Sequence, residues 1–132
     1  MKPIFLFLLL LSTFVFAEPK DIEVQLEQPV LLNVGDTATI SDFRITLLSV
    51  NDDGCGREIE CYWIALRDAT FQVWQGDEDL GEIILSKASR EDSKPFVQLG
   101  KYYFVLEDAV GYETDTPTAE FYVSNIEPYL YQ

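Results

Sequence analysis

Phe43-Arg44-Ile45-Thr46-Leu47-Leu48-Ser49-Val50 is the stretch on which the fold turns. Successive side chains of an extended strand point to opposite faces, so Phe43, Ile45 and Leu47 share one side while Arg44 and Thr46 take the other. One greasy face and one polar face describe a half-buried strand of an antiparallel sheet. The same pattern recurs outward along the chain. In Thr70 to Gln75, Phe71 and Val73 oppose Thr70, Gln72 and Trp74. Gly76-Asp77-Glu78-Asp79-Leu80-Gly81 reads as a hairpin connection, with Glu82 to Ser86 as the returning strand. Tyr102, Phe104 and Leu106 alternate with Tyr103, Val105 and Glu107, and Phe121 and Val123 share a face of Glu120 to Ile126.

Shorter candidates fill the intervals. Val30-Leu31-Leu32 runs into the turn signal Asn33-Val34-Gly35-Asp36, followed by β-branched Thr37 to Ile40. Cys61 to Leu66 and Phe96 to Leu99 read as strands, and Ile22, Val24 and Leu26 line one side of an acidic opening stretch. Lys87 to Lys94 and Gly111 to Thr118 are polar loops. About eight strands at regular spacing, with no amphipathic helix between them, predict an all-β domain. The expected architecture is a single antiparallel β-sandwich, immunoglobulin-like or similar; a small β-barrel is the alternative.

The first 17 residues read as a processing signal. Met1-Lys2-Pro3 supplies one positive charge, Ile4 to Leu11 is unbroken apolar sequence, and Val15-Phe16-Ala17 offers a cleavage site before the polar Glu18-Pro19-Lys20-Asp21. The apolar stretch is too short for a membrane span, which takes roughly 20 residues. Cleavage after Ala17 divides the chain into a signal peptide, 1–17, and one domain, 18–132. It places the domain in a secreted, periplasmic or other cell-envelope location, not spanning a membrane.

Nine Lys and Arg stand against 23 Asp and Glu, a formal charge of −14. Removal of residues 1–17 takes away Lys2 and no acid. A phosphate backbone recruits Lys and Arg, so nucleic acid is not the expected partner. A basic protein or peptide is, because a strongly negative surface draws in cations and speeds their encounter. The chain has no His, which removes Ser-His-Asp and Cys-His catalysis and the usual zinc ligand sets.

Cys55 and Cys61 are the only two cysteines. In an exported chain an even count reads as a disulfide. Zinc would need further nitrogen or sulfur ligands, and the five-residue gap excludes a Cys-x-x-Cys redox pair. A crosslink this short constrains the local loop more than the whole chain.

Around these cysteines, Val50-Asn51-Asp52-Asp53-Gly54-Cys55-Gly56-Arg57-Glu58-Ile59-Glu60-Cys61-Tyr62-Trp63-Ile64-Ala65 resembles a signature of small exported bacterial proteins. That signature runs Asp-Ser-Arg-Cys-Pro, with five residues between the cysteines, and then Cys-x-Trp. Asp52, Cys55, Cys61 and Trp63 match it. Gly54 stands in place of Arg, Gly56 in place of Pro, and Ile64-Ala65 in place of Ala-Gly. The resemblance implies a small extracytoplasmic β-domain with no established activity, and it brings no catalytic residues. Trp63, two residues beyond Cys61 and so on its strand face, is expected to plug the core beside the disulfide.

Two further groups are candidates for ligands. Calcium takes six to eight oxygens, often from Asp-rich turns, and Asp52, Asp53, Asp77 and Asp79 are the candidate contributors, although no run matches an Asp-x-Asp-x-Asp-Gly loop. Tyr62, Trp74 and Tyr112, with Tyr129 and Tyr131 in the tail, are aromatics that could stack on sugar rings. No pairing among the many carboxylates singles out a hydrolase. The sequence therefore reads as a non-enzymatic binding or interaction protein, with a ligand-free structural role and a carboxylate-dependent hydrolase as alternatives.

Overall fold

The computed structural model describes residues 18–55, 60–61, 66–87 and 94–128. Among the described residues nine strands follow one another: β1 (Asp21–Glu23), β2 (Val30–Asn33), β3 (Thr37–Ile40), β4 (Phe43–Asp52), β5 (Arg67–Gln75), β6 (Glu78–Ser86), β7 (Phe96–Leu99), β8 (Tyr102–Val110) and β9 (Thr118–Ser124). They form two open sheets, ordered β1-β3-β4-β5-β6 and β2-β9-β8-β7. The sheets face one another as a β-sandwich. Neither closes into a barrel, because each retains two edge strands. Every pairing between these strands is antiparallel except β1 on β3, which is parallel.

The alternating residues meet between the layers. Phe43, Ile45 and Leu47 of β4, Phe71 and Val73 of β5, and Leu32, Phe104, Leu106, Phe121 and Val123 from the other sheet make one continuous core. Aromatic rings bridge the two layers: Phe71 meets Phe121 edge to face with centroids 5.9 Å apart, and Phe43 meets Phe104 at 6.2 Å. Truncating such a ring to alanine costs about 3–5 kcal/mol.

Three strands carry register shifts. They fall between Leu47 and Ser49 in β4, between Trp74 and Val73 opposite Leu80 in β6, and between Leu106 and Asp108 in β8. Each β-bulge lets two residues oppose one and shifts the alternation. Leu48, 38 % exposed, and Ser49 therefore both face solvent, and Val50 in place of Ser49 returns to the core side.

The elements differ from the sequence reading at several ends. β6 begins at Glu78, so the hairpin connection is the two-residue turn Gly76-Asp77 and not the whole of Gly76 to Gly81. The bulge in β6 absorbs Leu80, which is why the turn-like composition continues into the strand. β5 begins at Arg67, ahead of Thr70. Cys61 and Leu66 lie outside any strand, and the rest of that candidate is outside the described residues. The side shared by Ile22, Val24 and Leu26 ends at Val24: Leu26 is 40 % exposed.

The connections are distributed unequally. At one end of the sandwich β3–β4, β5–β6 and β7–β8 are joined by the two-residue links 41–42, 76–77 and 100–101. At the other end lie the described residues of the links 53–66 and 87–95 where they leave and rejoin the strands, the link 111–117, the β2–β3 turn and the approach to β1.

Candidate functional site

The long-connection end gathers most of the residues singled out by the sequence motif. Asp52 is the last residue of β4 and lies beside Gly111 and Tyr112 of the β8–β9 connection. Its Oδ2 accepts the backbone N–H groups of Gly111 at 3.0 Å and Tyr112 at 3.2 Å. Its Oδ1 accepts the N–H of Gly54 at 3.0 Å. One carboxylate therefore ties two connections from opposite sheets. Charged acceptors make stronger hydrogen bonds than neutral ones, which suits a residue at such a junction.

Asp53 continues the pattern. Its Oδ1 accepts the N–H of Cys55 at 3.0 Å, an Asx turn, and its own N–H donates to Leu66 O at 3.2 Å. Arg67 Nη2 donates to Cys55 O at 3.4 Å. Both Asp side chains are thus occupied in shaping the loop.

Cys55 and Cys61 are disulfide-bonded, with Cα atoms 5.6 Å apart. Cys55 is buried, 2 % exposed. Both cysteines lie within the β4–β5 connection, so the bridge clips a loop and does not staple the two sheets together.

Gly54 explains one departure from the motif. Its φ is +76°, a region that side-chain-bearing residues rarely adopt. A Cβ there would also fall 2.6 Å from Tyr112 Cδ1. The half-buried Tyr112 ring covers the glycine, and an Arg side chain has no place beneath it.

Asp36 is an anchor that sequence reasoning passed over. It sits in the β2–β3 turn, buried, and accepts the N–H of Lys20 at 2.9 Å and of Asn33 at 2.9 Å. The Asn33-Val34-Gly35-Asp36 composition announced the turn. The bond to Lys20, which secures the entry to β1, required knowledge of the fold. Beside it, Pro19, Val34, Thr116 and Pro117 line an open groove of about 400 Å³ rimmed by Glu18 and Asp115. Glu113, in the same loop end, holds a left-handed backbone with φ 51°.

The four candidate calcium ligands are not brought together. Asp52 and Asp53 lie at the long-connection end, whereas Asp77 and Asp79 lie at the Gly76-Asp77 hairpin. Nine strand positions separate the two ends of the β4–β5 ladder, about 30 Å at strand rise. Asp79 instead accepts bonds from Gln72 Nε2 and, at 2.8 Å, from the N–H of Gly81. Among the described residues no group of three or more acidic or cysteine side chains is placed to hold a metal ion.

The candidate stacking aromatics are likewise dispersed. Trp74 lies on the outer face of the five-stranded sheet with the Arg44 guanidinium 5.3 Å from its ring centroid, a cation–π pair between directly opposed residues. One face of that indole is therefore already covered. Tyr112 is committed to Gly54. Tyr62, Trp63, Tyr129 and Tyr131 lie outside the described residues, as do residues 1–17, expected to be a signal peptide. No protein-family model, curated protein or solved structure matches the chain.

Proposed function

We propose that this chain is an exported, non-enzymatic β-sandwich that binds a cationic protein or peptide at the cell envelope or outside the cell, using its long-connection end. The observation that carries the reading is the gathering of the three long connections at one end. One of them is clipped by the Cys55–Cys61 disulfide and tied through Asp52 to another. Loops held on a rigid scaffold are where binding residues concentrate, and ordering them in advance lowers the entropy cost of association.

Several observations support the partner and the compartment. The exposed acids Glu18, Glu60, Glu113 and Asp115 lie at this end, within an overall charge of −14. The order of residues 1–17 and the disulfide fit export, as does the resemblance of the Asp52–Trp63 segment to small exported bacterial proteins. The Asp52 and Asp53 carboxylates are engaged by backbone N–H groups, which suits scaffolding better than acid–base chemistry.

The test is capture from the extracytoplasmic fraction of the source cells at low and high salt. The wild type is compared with Glu113→Lys plus Asp115→Lys at the long-connection end, and with Asp77→Lys plus Glu78→Lys at the opposite end. A partner retained by the wild type and the second variant but lost with the first supports the reading. Equal loss with both variants overturns it.

A further inference from the structure

The outer face of the four-stranded sheet combines three observations. The first is an apolar cluster on the solvent side of the sheet. Val105 is only 9 % exposed, yet it lies outside the inter-sheet core. Its cross-strand neighbours are Phe96 on β7 and Tyr122 on β9, and Phe96 packs against Tyr103 with ring centroids 6.1 Å apart. Three half-buried rings thus cover a valine on a face that an isolated sandwich has no need to make apolar.

The second observation is the sign of the charge around that cluster. β2, β7, β8 and β9 contain no Lys or Arg, while β8 and β9 contribute Glu107, Asp108 and Glu120. Lys101, in the β7–β8 turn, is held over the ring of Tyr102 at 5.3 Å, and Tyr102 belongs to the inter-sheet core. The third is the position of Tyr122. Glu107 lies two residues beyond Val105 on β8, and burial, then the carboxylates of Glu107 and Glu27, push the Tyr122 phenol above the ordinary tyrosine value. Glu27 is fixed there by a 2.5 Å bond from Ser124 Oγ.

We infer that this face is a second docking surface, separate from the long-connection end, and that its occupant is an extended Lys/Arg-rich peptide segment. The rings offer flat π surfaces for guanidinium and ammonium groups and for their alkyl stems. The carboxylates of Glu107, Glu120 and Glu27 supply the charge that such a segment needs neutralised. A sugar would use the rings but gain little from the ring of like charge, whereas a basic peptide uses both.

The experiment uses labelled octa-arginine as the probe, with amide chemical-shift mapping and fluorescence anisotropy on the mature chain. Shifts are expected at Phe96, Tyr103, Val105 and Tyr122. Tyr103→Thr plus Tyr122→Thr is expected to weaken binding at least tenfold, as is Glu107→Gln plus Glu120→Gln. The charge-matched control Glu78→Gln plus Glu82→Gln, on the other sheet, should weaken it less than twofold. Thermal unfolding of every variant identifies any loss due to misfolding, in which case the more conservative Tyr122→Phe with Glu107→Gln replaces the failed pair. Equal weakening by the control pair, or shifts confined to another surface, overturns the inference. Loss of peptide binding only with Glu113→Lys plus Asp115→Lys also overturns it, while leaving the long-connection reading intact.

Discussion

The Asp52 carboxylate accepts the backbone N–H of Tyr112 at 3.2 Å, joining two connections that are 60 positions apart in the chain. Together with its bonds to Gly54 and Gly111, this makes Asp52 the junction between the two sheets at the long-connection end. Asp52→Ala should lower stability by about 2–4 kcal/mol, because three N–H groups lose a charged acceptor. Asp52→Asn should cost less, since an amide oxygen can still accept. Urea denaturation of the two variants checks the order. An alanine effect below about 0.5 kcal/mol, the range of ordinary surface substitutions, would show that the junction is not structural.

Gly54→Ala combines two penalties, a left-handed backbone and a clash with the Tyr112 ring. The expected cost is about 2 kcal/mol or more, of which roughly 1 kcal/mol is the backbone contribution alone. In a Tyr112→Ala background only the backbone part should remain. A double-mutant cycle isolates the difference. Strict additivity would mean that the ring and the glycine do not meet in solution.

Replacing Cys55 and Cys61 together by Ser should lower stability by about 2 kcal/mol, the value for so short a closed loop. The fold itself should survive, because the bridge lies within one connection of one sheet. Far-ultraviolet circular dichroism and a thermal melt test this. Complete unfolding of the double serine variant would give the bridge a larger role than shaping its loop.

Tyr122 gives a pH dependence. Its phenol is raised by burial and by the neighbouring Glu107 and Glu27. Above the ordinary tyrosine value of about 10, the unfolded chain loses a proton that the folded chain still holds. Stability therefore falls as pH rises through this window and is unaffected by this group below it. Tyr122→Phe should flatten the decline between neutral and strongly alkaline pH. Urea midpoints measured on both sides of pH 10 provide the comparison, and an unchanged slope would exclude the contribution.

The layered architecture could be read from the chain because alternation is a local property. Phe43, Ile45, Leu47, Phe71, Val73, Tyr102, Phe104 and Leu106 all face the core as their spacing requires. What local sequence does not encode is the partner strand. The shift at Leu48 depends on the register of β4 against β5, and the turn-like run Gly76 to Gly81 hides a strand that pairs around an extra Leu80. The site shows the same division. The disulfide followed from an even count of two cysteines behind a stretch that reads as an export signal, and Asp52 from a motif. Their neighbours did not follow: Asp52 reaches Gly111 across 59 positions, and Asp36 reaches Lys20 across 16. The calcium grouping of Asp52, Asp53, Asp77 and Asp79 paired acids by composition, and the strand direction then carried the two halves to opposite ends. Nor does local sequence show why Gly54 stands where the motif has Arg: the Tyr112 ring that covers it comes from 58 positions further along the chain.

The parallel docking of β1 on β3 has a practical outcome for handling the molecule. Residues 18–20 emerge beside the groove at the long-connection end, held there by Asp36, whereas residues 125–128 leave β9 among the short turns. A bead or fluorophore attached ahead of Glu18 would therefore crowd the long connections. The same label placed beyond Pro128 would anchor the sandwich with those connections facing away from the support.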